Sequence, residues 1–589
     1  MAEESGNTLR AVPGEGAGRG PGFWRRMQVL RAGFDRRATG FVSQPEPRSF
    51  GSYARGRQLL AGNFHFAGEL VAAPDCSIWD VPAPGPAFDI ERHGFVWLDD
   101  LAAAAGFETR SRSQAWLAEW IARYGTGRGP GWAPDVTGRR VVRWIHHALF
   151  VLAGSDRAFS ERFFRSLGRQ AGFLARAWRG APPGLPRFEA LTGLLYAGLS
   201  LTGKERLVKP AMRALARECA AEIDRGGGIP SRNPEELLGI FTLLIWAAAA
   251  LREAGRQPLE GHVLAIERMA PALRVLRHAD GSLARFHGGG RGPEGQLDRA
   301  LAESGVRSGE PGPRAMGFER LAQGRTSVIV DAAQPPAPPH SRAAHASTLA
   351  FEMTSGRRPV IVSCGSGQGF DAAWRRAARA TASHSTLAID GLSSSRFAAS
   401  TRPGPEFLYD LPRTVVAERS DSEAEVALLL SHDGYVPTHG LRHVRRLALS
   451  RDGRTLSGED ALGAFSAEEQ LIFERAFEEG GGRGVPFSVR FHIHPEVEAE
   501  LDLGGRAVSL ALRSGEVWVF RHDGDAELCI EPSVYLESGR LKPRATKQLV
   551  LKSRVIDYAT HVNWSFAKAQ ETPLNLRDFA ADELELDRG

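Results

Sequence analysis

The hydrophobic period of this chain changes near Arg320, and that change limits the folds open to it. Before it, apolar residues recur at helical spacing over 113–124, 139–153, 159–178, 187–201, 205–224, 234–254 and 259–276, with short Gly- or Pro-containing breaks between. This predicts antiparallel helical hairpins stacked into a ring or bundle. Beyond Arg320, apolar and polar residues alternate over 326–331, 349–353, 360–363, 385–389, 415–419, 424–430, 441–449, 487–494, 507–512, 517–521, 528–532 and 548–552, with Asp-Gly, Ser-Gly and Gly-Gly turns between. Such runs predict an antiparallel β-sandwich, with the best cleft lying between the two halves. Three segments follow: 1–45, 46–320 and 321–589. In the first, residues 1–22 lack apolar periodicity and read as disordered. Phe23, Met27, Leu30 and Phe34 then share one face of a basic amphipathic helix, expected to dock on its own domain. Residues 64–71 alternate like a single strand, and the Gly-rich stretch 279–294 marks a boundary loop able to reach into the cleft.

Composition narrows the function classes. A chain of 589 residues with 42% hydrophobic and 24% charged residues is globular and exceeds one ordinary core. The net charge of +5 rests on Arg, because only six of the basic residues are Lys. These arginines are interspersed with Asp and Glu, which argues against a nucleic-acid partner, while guanidinium forks suit the oxyanions of an acidic glycan. Cys76, Cys219, Cys364 and Cys529 form no CxxC pair, so neither a disulfide framework nor a zinc finger is expected. The N-terminal stretch has no apolar core of a secretory signal, and the longest apolar run, 237–251, is too short to span a membrane. A cytoplasmic protein without a transmembrane segment is the expectation.

Chemistry-bearing residues gather in the β half. His384 lies in Arg379-Ala-Thr-Ala-Ser-His-Ser-Thr-Leu-Ala-Ile-Asp-Gly391, a polar segment entering a strand, where a rigid sheet can hold an imidazole toward a cleft. A second entry, His345-Ala-Ser-Thr-Leu-Ala-Phe-Glu-Met353, precedes Val360-Ile-Val-Ser-Cys-Gly365. His492 and His494 share one face of another strand, and Tyr435 lies near His439. Metal binding and proton transfer are open to these groups, as is simple packing.

The order of a helical half, the His345 entry, the Val360 strand, the Arg379–Gly391 segment and Arg442-His-Val-Arg-Arg446 resembles the heparinase II/III-like family across nearly the whole chain, most specifically over about 321–570. The resemblance implies an N-terminal (α/α) toroid-like helical domain followed by a C-terminal antiparallel β-sandwich. It also implies a polysaccharide lyase that cleaves a uronate-containing glycan by β-elimination, commonly in the periplasm.

The implied site departs from the family's pattern. The Tyr that follows the family's Gly-Gly loop falls near Glu236 or Leu237, after Gly226-Gly-Gly-Ile-Pro-Ser-Arg-Asn233, and the Asn-His pair is not matched around 187–196. The first His of the family's His-x-His is Ala343, and the metal-binding Asp is Ser363 with Cys364 beside it. The expected sites are therefore His384 and Tyr196 as catalytic groups, Arg232, Asn233 and Arg379 on substrate, and His345, His384 and Cys364 around one divalent metal, zinc by donor type. The partner expected is an acidic polysaccharide. The alternative is a catalytically silent glycan- or partner-binding scaffold of the same fold.

Overall fold

The computed structural model describes residues 21–33, 38–307, 312–397 and 406–569. The expectation for the first twenty residues lies outside these. Helix Pro21–Gly33 packs against helix Arg157–Ala177. Val29 and Ala32 are buried in the helical core, while Leu30, expected on the docking face, is 53% exposed; the Phe23 and Phe34 side chains, expected on the same face, lie outside the described residues.

The helical half follows the predicted succession. Helix Leu185–Ser200 is nearly all buried and packs on Pro134–His146, Val208–Glu222 and Pro234–Glu253. Its crossing with Pro134–His146 is close because both helices present glycine: a Cβ on Gly193 would stand 2.5 Å from the Gly138 Cα. Helix Pro234–Glu253 is long and apolar enough to cross a membrane, yet 78% of its most apolar window is buried, as in a core helix. The single strand expected over 64–71 is a hairpin, Asn63–Phe66 with Glu69–Ala72. Ala67 and Gly68 both take positive φ, 51° and 81°, which turns the chain back on itself.

The β half is built on two large antiparallel sheets, with a small pairing of 396–397 and 408–410 beside them. In the first, strands run in the order 415–421, 425–435, 441–450, 455–463, 559–568, 517–523, 507–512, 497–502. The second runs 527–535, 544–555, 485–493, 358–362, 351–355, 326–331, 318–323, 314–315, with Leu387–Ile389 pairing on 485–493. Their inner faces bury a core that includes Val328, Phe351, Leu447, Phe491 and Trp564. The helical core takes in Phe318 and Ile329 from the second sheet, and Ala350 just ahead of its strand 351–355, so apolar packing is continuous across the junction of the halves.

Candidate functional site

Strand Thr326–Asp331 is buried at every position and ends on a carboxylate at the junction. Burial works to raise the Asp331 carboxyl, and the Arg232 guanidinium and His287 override it, holding it well below the usual carboxylate range. Arg232 Nη2 lies 2.5 Å from Asp331 Oδ1, Ser347 Oγ donates to Oδ2 at 2.6 Å, and His287 Nε2 stands 3.2 Å from Oδ2. Arg232 and His287 come from the helical half, and both occupy the left-handed region, at φ 51° and 47°. Two strained non-glycine residues meeting on one buried carboxylate mean that the junction over-determines their backbone.

The loop that carries His287 is Phe286-His-Gly-Gly-Gly290. Its glycines permit close approach: a Cβ on Gly289 would stand 2.5 Å from Asn233 Oδ1, and one on Gly288 2.7 Å from Ala343 Cβ. Gly290 N–H donates to Glu235 Oε2 at 2.7 Å. Glu352 fastens the start of the loop, its Oε2 accepting from the Arg285 N–H at 3.0 Å and meeting His278 Nε2 at 3.1 Å.

His345 and His384 stand where the strand-entry reading put them, and the fold brings them together, His345 Nδ1 to His384 Nε2 at 3.1 Å. The other nitrogen of His384 meets Ser363 Oγ at 3.0 Å, and the His345 N–H donates to His287 Nδ1 at 3.3 Å. Burial drives the His384 pKa down to about 3, so the ring is neutral at ordinary pH. Cys364 does not join the pair. Its Sγ lies 3.5 Å from His492 Nδ1 and 3.8 Å from Ser533 Oγ, because the thiol faces strand 527–535. His492 Nε2 donates to Ala382 O at 3.0 Å, which leaves Nδ1 as an acceptor toward Cys364 and Ser533. With the Cys364 thiol turned away, the expected set of His345, His384 and Cys364 does not converge on one point, and among the described residues no group of three or more His, Cys, Asp or Glu is arranged to hold a metal.

The remaining expected residues each have partners within the fold. Arg232 donates to the carbonyls of Met316, Gly317, Ala333 and Gln334, all within 3.1 Å, besides meeting Asp331. Asn233 caps helix Pro234–Glu253, its Oδ1 accepting from Glu235 N–H at 2.9 Å and Glu236 N–H at 3.1 Å. Arg379 donates to Ser341 O, Ala344 O and Glu406 O, pinning the approach to His345. Tyr196 is buried in the helical core, its hydroxyl donating to Trp246 O at 3.2 Å and its pKa raised by that burial. Tyr435 and His439 do not pair: the Tyr435 hydroxyl donates to Leu387 O, and His439 meets Thr438.

The two strand entries are braced from behind by Arg445, which is fully buried. Its Nη1 donates to Leu349 O at 2.8 Å and Ser385 O at 3.0 Å, and its Nε and Nη2 grip Asp460 at 2.7 and 2.9 Å. Asp460 also accepts from Trp564 Nε1 at 2.8 Å and meets His443 Nε2 at 2.7 Å. Residues that the sequence reading missed, Asp331 and His287, thus form the centre of the junction. Asp331 had one signal, a carboxylate ending an otherwise apolar strand, and His287 another, a histidine ahead of three glycines.

A helical domain leading into a two-sheet antiparallel sandwich, with histidines paired across adjacent strand entries, is a polysaccharide-lyase-like fold. The chain belongs to the heparinase II/III-like family: the family model described as Heparinase II/III-like, C-terminal, matches residues 309–565. It is 32% identical over 527 residues to FtsZ-localized protein C of Caulobacter vibrioides, covering 88% of each chain. Among solved structures it is similar to heparinase III, with a TM-score of 0.67, 13% identity and coverage of 93% of this chain and 89% of that one. It is also similar to the heparan sulfate lyase HepC of Pedobacter heparinus, with a TM-score of 0.55, 14% identity and coverage of 93% and 87%. At those identities the likeness to the lyases is one of fold.

Proposed function

We propose that this chain works by binding, as a heparinase-fold scaffold without eliminative activity, in association with FtsZ as the name of its 32%-identical relative states for that protein. β-Elimination requires a cation or amide to neutralise the uronate carboxylate, a base for the C5 proton and an acid for the departing oxygen. The observation that carries the reading is that the five residues expected to catalyse or to hold substrate, His384, Tyr196, Arg232, Asn233 and Arg379, are all engaged by partners within the chain. Arg232 is consumed by four carbonyls and Asp331, Asn233 by a helix cap, Arg379 by three carbonyls, and Tyr196 by Trp246 O in the helical core. His384 is fully buried and bonded at both nitrogens. The other reading, eliminative cleavage of an acidic glycan at the interdomain cleft, is supported by fold.

The test is incubation of the purified chain with a panel of uronate-containing polysaccharides while following the absorbance of unsaturated uronate, with an active heparinase as reference. No product above the protein-free control is expected on any substrate. Sustained product formation that is lost in His384→Ala would overturn the reading.

A further inference from the structure

Two adjoining hollows on the helical half, the second reaching Arg320 on strand Phe318–Gln323, have volumes of about 520 and 760 Å³ and meet at Gly305 and Val306. Arginines outnumber carboxylates in both: Arg48, Arg252 and Arg307 with Glu267 and Glu303 line the first, and Arg274, Arg277 and Arg320 with Asp298 the second. Carboxylates offset only part of this charge. Arg48 pairs with Glu253, and Arg277 with Asp298 at 2.8 Å. Arg252, Arg274 and Arg320 have no ion pair among the described residues. Arg274 donates to Val306 O at 2.8 Å, and Arg320 to Val275 O at 3.0 Å and Arg277 O at 2.6 Å, contacts that fix the guanidinium groups without neutralising them. Burial and the charge of Arg277 both lower the Arg320 pKa, so an added anion would relieve this cluster.

Apolar side chains, among them Ile245, Val263, Ile266 and Leu301, complete the walls. Among the described residues no Trp, Tyr or Phe lines either hollow, so a sugar ring finds no broad aromatic face to stack on. Guanidinium groups beside an aliphatic surface suit an extended peptide that alternates acids with aliphatic residues.

The sequence beyond Ala569 contains such a stretch. Asp582, Glu583, Leu584, Glu585, Leu586 and Asp587 follow one another, and in extended form Glu583, Glu585 and Asp587 fall on one face, Leu584 and Leu586 on the other. The path is short enough. Lys568 N–H donates to Arg454 O at 2.9 Å, and Gly453 lies so close to the strand Phe318–Gln323 that a Cβ on it would stand 2.1 Å from Gln323 O. Arg320 is three residues along that strand, roughly 10 Å away, whereas residues 570–582 can span up to about 40 Å when extended.

We propose that the arginine-lined groove is a peptide-binding site whose resident ligand is this chain's own segment 582–587, docked intramolecularly with its acids on the arginines and its leucines on the aliphatic wall. An acidic and apolar segment of a partner protein competes for the same groove. The inference goes beyond the scaffold reading and does not depend on it, since a tail can dock on an active lyase or an inactive one.

The test compares the full chain with one ending at Ala569, using a fluorescein-labelled peptide of residues 579–589 as the anisotropy probe. The truncated chain is expected to bind the probe, and the full chain to bind it at least about tenfold more weakly, because a tethered competitor acts at an effective concentration on the order of millimolar. Added salt weakens the binding. Arg277→Glu in the truncated chain removes it, as does Arg252→Glu at an exposed position where folding is not at stake, while the distant Arg157→Glu leaves it intact; thermal melts verify that each variant is folded. Failure of the truncated chain to bind, equal binding by both chains, or indifference to Arg252→Glu and Arg277→Glu overturns the proposal. So does a concentration-dependent dimer that disappears on truncation, which would place the docking between copies.

Discussion

Asp331→Ala is expected to destabilise the protein by about 3–5 kcal/mol, the cost of leaving a buried cation without its partner. The carboxylate is fully buried, and its removal strips Arg232 of its only ion pair among the described residues while also releasing Ser347 Oγ and His287. Arg232 cannot retreat to solvent, because four backbone carbonyls and the Phe318 ring, 4.7 Å from its guanidinium carbon, hold it in place. The left-handed backbone at Arg232 and His287 then loses the contact that compensates its strain. Chemical denaturation measures the cost, and the double variant Asp331→Leu with Arg232→Met is expected to recover much of it, since an apolar pair avoids the unpaired charge. A loss below about 1 kcal/mol in Asp331→Ala would mean that the junction does not depend on this carboxylate. Acid should act in the same direction. The Asp331 pKa is depressed on folding, so its contribution is complete above the ordinary carboxylate range and is lost as pH falls through the folded value.

Asp460→Ala is expected to cost a similar amount, about 3–5 kcal/mol, and to loosen both histidine-bearing strand entries. Gly434 N–H donates to His432 Nδ1 at 3.0 Å, which puts the His432 proton on Nε2, facing His443 Nδ1 at 3.2 Å; His443 then donates from Nε2 to Asp460. Removing the carboxylate orphans that imidazole, the Trp564 indole and the charge of Arg445 together. Arg445 is also the group that carries the carbonyls of Leu349 and Ser385. The effect should therefore appear in the denaturation midpoint and as a change in the His345 and His384 ring signals by NMR. A variant with unchanged ring signals would show that the brace does not reach the pair.

Much of this architecture could be read from hydrophobic period. The helix read over 234–254 is observed as Pro234–Glu253, and the strand read over 507–512 is observed as Ala507–Leu512, because each has a single burial pattern and clear punctuation. The central strand Ala559–Lys568 was passed over although Val562, Trp564 and Phe566 alternate with polar residues, since those intervening residues diluted the apolar signal. Helix Ala467–Glu479 was also missed, despite a capping box of Ser466 and Glu469 that marks its start. The site was less legible for a physical reason. Spacing put His345 and His384 at strand entries, but it could not show that Cys364 turns toward His492 or that Arg232 spends its donors across the domain junction. Those outcomes depend on partners 128 and 99 residues away in sequence.

The central claim is that side chains and backbone of the two halves lock the junction together and do not display it to a substrate. Hydrogen exchange over the loop 285–290 tests this most directly, because the amides of Arg285 and Gly290 donate to the carboxylates of Glu352 and Glu235. The account predicts exchange there as slow as in the core of helix Pro234–Glu253, released only by global unfolding, and accelerated in Asp331→Ala. Rapid exchange of those amides in the intact protein, against a protected helix, would contradict it and indicate a cleft that opens.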